Sequence, residues 1–343
     1  MNEVELLEGL LQRYSPTHQE AEAVNYLVMQ MTALGYRAHV DEAGNAVGVI
    51  GDGPREVMLL GHIDTVPGRI DVKRDGDQLY GRGAVDAKGP LACFTAAGAL
   101  AGARSGWRTI VIGAVGEEGD SRGAQYVRDH YKPDMLIIGE PSSWDRITLG
   151  YKGSAWFEYQ ANRTLAHTSA NVESACQAAV HFWNRVATRL GEFNADKPKM
   201  FDQLIPSLRE MNSHSDGFIE TAQLKFNLRL PLGLDLAEVT ALIQAQAIDA
   251  TAKLAEGIPA YRAEKNTPLV RAFLAAIRKF QGTPGFTMKS GTSDMNLVAP
   301  AWQCPAVAYG PGNSDLDHTP EEHVLVSEYQ RAIQILAEVL QTV

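Results

Sequence analysis

The stretch Thr109-Ile-Val-Ile-Gly-Ala-Val115, followed at once by Gly116-Glu-Glu-Gly119, decides how the chain reads. Its first half is continuous, β-branched and apolar, the pattern of a strand buried on both faces of a parallel sheet. Two adjacent carboxylates, Glu117 and Glu118, then stand where that strand ends. Open α/β sheets take their ligands outside the carboxyl ends of their strands. Neighbouring side chains point in different directions, so one carboxylate can bind a cation while the other handles protons. Alone, Glu-Glu-Gly is only an acidic turn, and the rest of the chain has to decide.

Working outward, the same strand pattern recurs at Glu56-Val-Met-Leu-Leu60, which runs into Gly61-His-Ile-Asp64, and at Met135-Leu-Ile-Ile138, which runs into Gly139-Glu140. Apolar spacing predicts a helix over residues 4–14. A second follows a Thr17-x-x-Glu20 capping box, with Ala21, Val24, Leu27, Val28, Met31 and Leu34 on one face and Gly35 as its stop. Strands are expected near 36–40 and 46–50, a hairpin around Asp75-Gly76-Asp77, and helices near 90–103 and 123–131. Alternating strands and helices predict an α/β fold with a mainly parallel sheet.

Past Gly150 the texture changes. Residues 154–160 and 221–230 alternate like half-buried antiparallel strands, with Leu224, Phe226, Leu228 and Leu230 on one face. Helices are expected over 172–190 and 235–255. After Thr267-Pro268 the α/β pattern resumes with a helix to Phe280, the loop Ser290-Gly-Thr-Ser-Asp-Met-Asn296, a strand at 306–309 and a helix over 326–340. Residues 1–149 and 265–343 therefore read as one domain, interrupted by an α+β insertion at 150–264. The chain has 343 residues, and that length suits about two domains.

A formal charge of −10, with no basic stretch to offset it, argues against nucleic acid as a partner. Cys93, Cys176 and Cys304 are far apart and lie among apolar or small residues, so buried free thiols are expected. The first ten residues, MNEVELLEGL, are acidic and lack the basic start of a signal peptide. No apolar run approaches the ~20 residues of a membrane span. A cytoplasmic protein is the expectation.

His62 and Asp64, Glu118, and Glu140 fall at the ends of expected strands; Asp86 lies in the glycine-rich Gly81-Arg-Gly-Ala-Val-Asp-Ala-Lys-Gly89, and His318 precedes the last helix. Imidazole and carboxylate are Zn²⁺ ligands. Two histidines, three carboxylates and no thiolate suit two metals about 3.5–4 Å apart, bridged by a carboxylate. His39, His130 and His181 have no such neighbours and read as surface or core residues. Asp64, two residues after His62, could hold that imidazole's tautomer.

The ordered series GHIDTV, GRGAVDAKG, GEEG, GEPS and DHTPEE resembles the M20 family of cocatalytic zinc aminoacylases and peptidases, over nearly the whole chain. The resemblance implies a zinc-hydrolase catalytic domain with an inserted lid that dimerises. It implies that His62 and Glu140 serve one Zn²⁺ and Glu118 and His318 the other, with Asp86 as bridge. Co²⁺ would be a possible substitute. It also makes Asp64 the residue that orients His62 and Glu117 the general acid/base, and marks Asp86–Ala87 as a position where the family often has a cis peptide.

In the insertion, His167 of Leu165-Ala-His-Thr-Ser-Ala170 matches a lid histidine that reaches a partner's active site and stabilises the oxyanion. Arg229 matches a lid arginine near the substrate carboxylate, for which its bidentate fork is apt. Ser290, Gly291 and Thr292 could bind a carboxylate through backbone N–H groups, or the loop could simply start a helix capped by Ser293 or Asp294.

Within the family the length and the motifs GYKGS, SGTSDMN and GPGNSDLDHTPEEH resemble the branch that finishes lysine or ornithine synthesis. That implies hydrolysis of an amide on the α-amino group, formed either with an acetyl group or with the terminal glutamyl residue of an amino-group carrier protein. Acetylornithine deacetylase, succinyl-diaminopimelate desuccinylase and an M20 dipeptidase are the alternatives. Such carriers are typically acidic, so this acidic chain would need a local basic patch, with Lys152, Arg163 and Lys289 as candidates.

Overall fold

The computed structural model describes residues 2–343; Met1, the first residue of the expected catalytic segment, lies outside them. In chain order the first stretch carries α1 (Glu3–Gln12), α2 (Ala21–Ala33), β1 (Arg37–Val40), β2 (Ala46–Gly51), β3 (Arg55–His62), β4 (Lys73–Asp75) and β5 (Gln78–Tyr80). It continues with α3 (Lys88–Ala101), β6 (Trp107–Ala114), α4 (Arg122–His130), β7 (Met135–Gly139) and β8 (Arg146–Tyr151). The middle stretch carries β9 (Gly153–Thr164), α5 (Ala175–Asn194), β10 (Ile205–Ser215), β11 (Ile219–Leu230), α6 (Leu236–Gln244), β12 (Thr251–Ile258) and β13 (Tyr261–Arg262). The last has α7 (Pro268–Lys279), β14 (Gly285–Lys289), α8 (Asp294–Trp302), β15 (Ala306–Ala308), β16 (His323–Leu325) and α9 (Val326–Thr342).

These elements form two compact units. One holds the residues up to Gly150 together with Ala263–Met288 and Ser293–Val343; the other holds Tyr151–Arg262 and Lys289–Thr292.

In the first unit the main sheet runs β1-β2-β6-β3-β7-β15-β8, with β14 also beside β8. Its centre, β6-β3-β7-β15, is parallel, and the flanking pairs β1/β2, β2/β6 and β15/β8 are antiparallel. Alternate residues of the central strands face opposite ways, and both faces are covered. Val57, Leu59, Val111, Ile137 and Val307 join the large core that also takes in α1, α3, α7 and α9. Met58, Leu60, Ile110, Ile112, Leu136 and Ile138 point the other way and are buried as well. Two-sided burial is why these strands read as unbroken apolar runs. On the same unit β16, β5 and β4 make a small antiparallel sheet.

The second unit is an antiparallel sheet, β10-β11-β9-β12, with α5 and α6 packed on it. Its separate core is aromatic: Tyr159 stacks on Phe182 at 4.0 Å between ring centroids, and Phe157 on Phe226 at 5.4 Å. β10 is an edge strand whose residues from Arg209 onward are exposed.

The structure departs from the sequence expectations in four places. The helix expected over 235–255 stops at Gln244, and β12 follows a turn in which Asp249 adopts a φ of 48°. Ala252 and Leu254 there pair with Tyr159 and Phe157 of β9, so pairing outweighs a weak helical pattern. β10 was not anticipated, since its outer half has little apolar alternation. The Thr17-to-Glu20 capping box does not form: α2 has no side-chain cap, and the Thr17 hydroxyl donates to Asp64 instead. Of the cysteines only Cys93 is buried; Cys304 is half-buried and Cys176 exposed, because α5 turns that position outward. Among the described residues no helix is long and apolar enough to cross a membrane.

Candidate metal centre

Three parallel strands deliver the site. The register pairs Gly61 with both Gly113 and Gly139, and His62 with Ala114, so β3, β6 and β7 end level. His62 closes β3, the turn bearing Glu117 and Glu118 follows β6, and Glu140 is the residue after β7. The strand ends approach closely because Gly139 lacks a side chain: a Cβ there would lie 3.0 Å from both Gly61 Cα and Phe94 Cε2.

His62, only 1% exposed, directs Nε2 at Asp86 Oδ1, 3.0 Å away, with Glu140 Oε1 at 4.0 Å. His318 Nε2 lies 2.9 Å from Asp86 Oδ2 and 3.0 Å from Glu118 Oε1. Asp86 thus stands between two imidazoles, one oxygen to each. Donor atoms of His62, Asp86 and Glu140 lie within 4.8 Å of one another, as do those of Asp86, Glu118 and His318. Two donor groups that share one carboxylate are the arrangement that holds a pair of cations. Glu117 is grouped in the same way with His62 and Glu118. The Asp86–Ala87 peptide is cis.

The supporting contacts differ from the sequence expectation. Asp64 does lie beside His62, but it is its backbone carbonyl that meets the imidazole, 2.9 Å from Nδ1. The carboxylate is 3.7 Å from that nitrogen. It accepts instead from the backbone N–H of Glu117 at 3.0 Å and of Glu118 at 3.2 Å, and from the Thr17 hydroxyl at 2.7 Å. Asp64 therefore holds the turn that carries both glutamates. Asn45, fully buried, accepts from Val115 N–H at 3.0 Å and donates to Gly123 O at 3.2 Å, bracing that turn from both ends. Glu322, also without exposure, accepts from the N–H groups of Gly83, Val85 and Asp86. Sequence reasoning missed Thr17, Asn45 and Glu322 because their partners are mostly main-chain groups distant in sequence. The last Glu of DHTPEE was the only visible signal.

Crowded charge shapes the protonation. Burial works against a proton on His62, but the Asp86 bond and the carboxylates of Glu117, Asp86 and Asp64 outweigh it and raise its pKa well above the usual value. Bonds to Asp86 and Glu118 push His318 up to about 10. Asp86 is held below the carboxylate range because its bonds to His318 and His62 overcome burial. Glu117 is raised well above the usual range by burial, then, against His62, by the charges of Asp294, Glu140 and Glu118. Burial and neighbouring charge of this kind mark a carboxyl whose proton affinity its surroundings control, as an acid–base group requires. Glu140 is raised by burial and by Asp86. Asp294, buried at the start of α8 and bonded by Ser121, is raised to about 7, chiefly by burial.

The remaining sequence candidates belong to the second unit. His167 is exposed, with Nδ1 2.7 Å from Ser169 Oγ. Arg229 Nη1 donates to Thr292 Oγ1 at 2.8 Å, which brings Arg229 together with the Ser290-Gly291-Thr292 loop. Ser293 does cap α8, accepting from Met295 N–H at 3.2 Å. The expected basic patch loses Lys152: it has no exposure and donates to the carbonyls of Met200, Phe201 and Gln203. Burial lowers its pKa to about 8. Arg163 is half-buried and turned toward Glu173 at 3.4 Å, and Lys289 is half-buried as well.

The donor chemistry fits a pair of divalent ions. Two imidazoles and three carboxylates converge, and the raised pKa values of His62 and His318 reflect how strongly this cluster of carboxylates favours positive charge.

The profile of Peptidase family M20/M25/M40 matches residues 58–342. A Deinococcus radiodurans protein named LysW-lysine hydrolase is 41% identical, over 98% of this chain and 95% of its own. A Thermococcus kodakarensis protein with the provisional name LysW-lysine/LysW-ornithine hydrolase is 39% identical, over 98% of this chain and 91% of its own. Among solved structures, an M20 family metallo-carboxypeptidase from Sulfolobus solfataricus superposes with a TM-score of 0.79 at 18% identity, covering 100% of this chain and 99% of its own. A dinuclear metal-binding M20 peptidase from Bacillus subtilis does so at 0.75 and 14% identity, covering 99% and 98%. At such identities these two speak for the fold.

Proposed function

The chain belongs to peptidase family M20/M25/M40, and from that premise we propose that it is a two-metal amide hydrolase releasing lysine or ornithine from an amino-group carrier protein. The observation that supports the chemistry is Asp86 set between His62 and His318, with Glu117 alongside. The names of full-length relatives support the substrate. In this reading His62 and Glu140 would hold one ion, Glu118 and His318 the other, and Asp86 would serve both. Zinc is the ion we favour, with cobalt as a substitute. Bound there, the ions would polarise the amide carbonyl and acidify a water.

Glu117 takes the proton of that water at its carboxylate and later passes it to the leaving amine. It can do so because Asp64 grips the main chain of the turn, leaving the side chains of Glu117 and Glu118 to different tasks. Arg229 and the Ser290–Thr292 loop receive the carboxylate of the amino acid to be released. Residues 1–149 and 265–343 serve as the catalytic domain and 150–264 as the lid, except that Lys289–Thr292 group with the lid. Two copies pair through the lid, for which the exposed edge strand β10 offers unpaired main-chain groups. His167 of one copy then serves the oxyanion in the other. The enzyme works in the cytoplasm.

A kinetic panel tests this reading: carrier-linked lysine, carrier-linked ornithine, N-acetyl-lysine, N-acetyl-ornithine, N-succinyl-diaminopimelate and a dipeptide, each with metal-loaded and chelator-stripped enzyme. Carrier-linked substrates should give the highest kcat/KM, and only with metal. Efficient deacylation of an acetyl or succinyl substrate with carrier-linked lysine left intact would overturn it.

A further inference from the structure

Glu322 lies four residues after His318 and is fully buried. Its Oε1 accepts three backbone N–H groups, from Gly83 at 3.0 Å, Val85 at 2.9 Å and Asp86 at 3.1 Å. Its Oε2 takes Arg82 Nη1 at 2.7 Å. Arg82 is itself buried, and its Nε donates to Gly68 O at 2.9 Å. The main-chain carbonyl of Glu322 also accepts from Gly81 N–H. A carboxylate with four donors is saturated, so Glu322 serves neither as a base nor as a ligand. Its grip falls on the main chain of Asp86, whose oxygens stand 3.0 Å from His62 Nε2 and 2.9 Å from His318 Nε2. A single segment, 318–322, thus supplies one imidazole and the clamp on the carboxylate shared by both.

We propose that Glu322 is a positioning residue that sets where Asp86 stands between His62 and His318, and so how tightly a second metal ion binds once the first is in place. The inference rests on the reading of Asp86 as the bridge. The clamp joins residues 82–86 to a segment more than 230 residues later, so the gap between the two imidazoles depends on one buried anion. Losing that anion frees the Gly83–Asp86 main chain. Oxygens of Asp86 can then satisfy one ion fully, but not two at once.

Stepwise Co²⁺ titration of the full-length, metal-stripped protein, followed by visible absorption and calorimetry, tests this. The parent should take two equivalents. Glu322→Gln keeps an acceptor but sets an amide against Arg82. It should remain folded and take the first ion near parental affinity, with the second weakened by about 10–100-fold, the usual cost of losing an outer contact to a ligand. Raising free Co²⁺ should recover most of its kcat at unchanged KM. Arg82→Lys, which keeps the charge and loses the fork, should shift the second affinity the same way by less, and it serves where Glu322→Gln does not fold. A merely structural role would lower the melting temperature and leave the two affinities as they were; that result overturns the proposal. A parent that takes one equivalent would instead defeat the bridging reading, and this inference with it.

Discussion

Glu117 and Glu118 are neighbours with different surroundings, and substitution should separate them. Glu117→Gln should keep both metals and lower kcat by at least ~10² to 10⁴, the usual contribution of a placed acid–base group. Glu118→Ala should lose metal first. Elemental analysis beside steady-state rates reads both; a Glu117 variant with near-parental turnover refutes the assigned role. The histidines make a second prediction. In the metal-free site the surrounding carboxylates favour a proton on both, raising His318 up to about 10. A raised histidine stabilises the metal-free fold fully below its unfolded pKa of ~6.5 and loses that contribution as pH rises toward the folded value. Metal must displace these protons, so loading at pH 7 should acidify a weakly buffered solution and the gain in melting temperature on loading should grow from pH 6 to 9. A gain that shrinks with pH contradicts this. At this scale the sequence shows what the cation needs and hides what the backbone needs. His62, Asp86, Glu118, Glu140 and His318 announce themselves by type and position as candidate donors, and the structure groups them. Thr17 and Asn45 do their work through hydrogen bonds across 47 and 70 residues.

Among the elements, the central strands were legible because burial on both faces leaves unbroken apolar runs, and α3 because close packing demands small residues. The second unit was harder. β10 carries Asn212, Ser213, His214 and Ser215 along an exposed edge, where no core imposes a period of two. The helix expected over 235–255 extends into β12 because Leu236, Val239, Leu242 and Ile243 set a helical spacing, while Ala252 and Leu254 alternate too briefly to signal a strand. The Thr17 substitution isolates a loop acting on a turn. Thr17→Ser preserves the donor to Asp64 and should be nearly silent. Thr17→Val removes it and should cost about 1–3 kcal/mol of stability in urea, with kcat falling more than metal affinity. Equal effects of Ser and Val would show that shape alone matters. At β7, Gly139→Ala would press a methyl on Gly61 and Phe94. Overpacking costs about 1–3 kcal/mol, and the strand shift should also weaken metal binding through Glu140. Stability lost with metal affinity intact would place the strain away from the site.

Charge divides the whole molecule. The second unit has twelve basic and twelve acidic residues, so the formal −10 resides in the first, with 19 against 29. Two copies joined through the neutral unit avoid bringing those acidic surfaces together, which favours the second unit for pairing. Sedimentation should find a dimer. His167→Ala should be metal-replete, dimeric and slowed by about 10² to 10³, and subunit exchange with Glu117→Gln should restore activity in mixed dimers. No rescue despite proven exchange would place His167 in its own active site or outside catalysis. The order of the central sheet also bears on how the chain is made. β15, from the last seventh of the sequence, lies between β7 and β8. Translation proceeds at about 5–20 residues per second, so a nascent polypeptide spends roughly 10–30 s with those two strands facing an absent neighbour. During that interval the middle stretch is free to fold, while apolar strand edges wait for a carboxyl-terminal segment still on the ribosome. Chaperones should find the protein in that window, before His318 can join the other candidate donors.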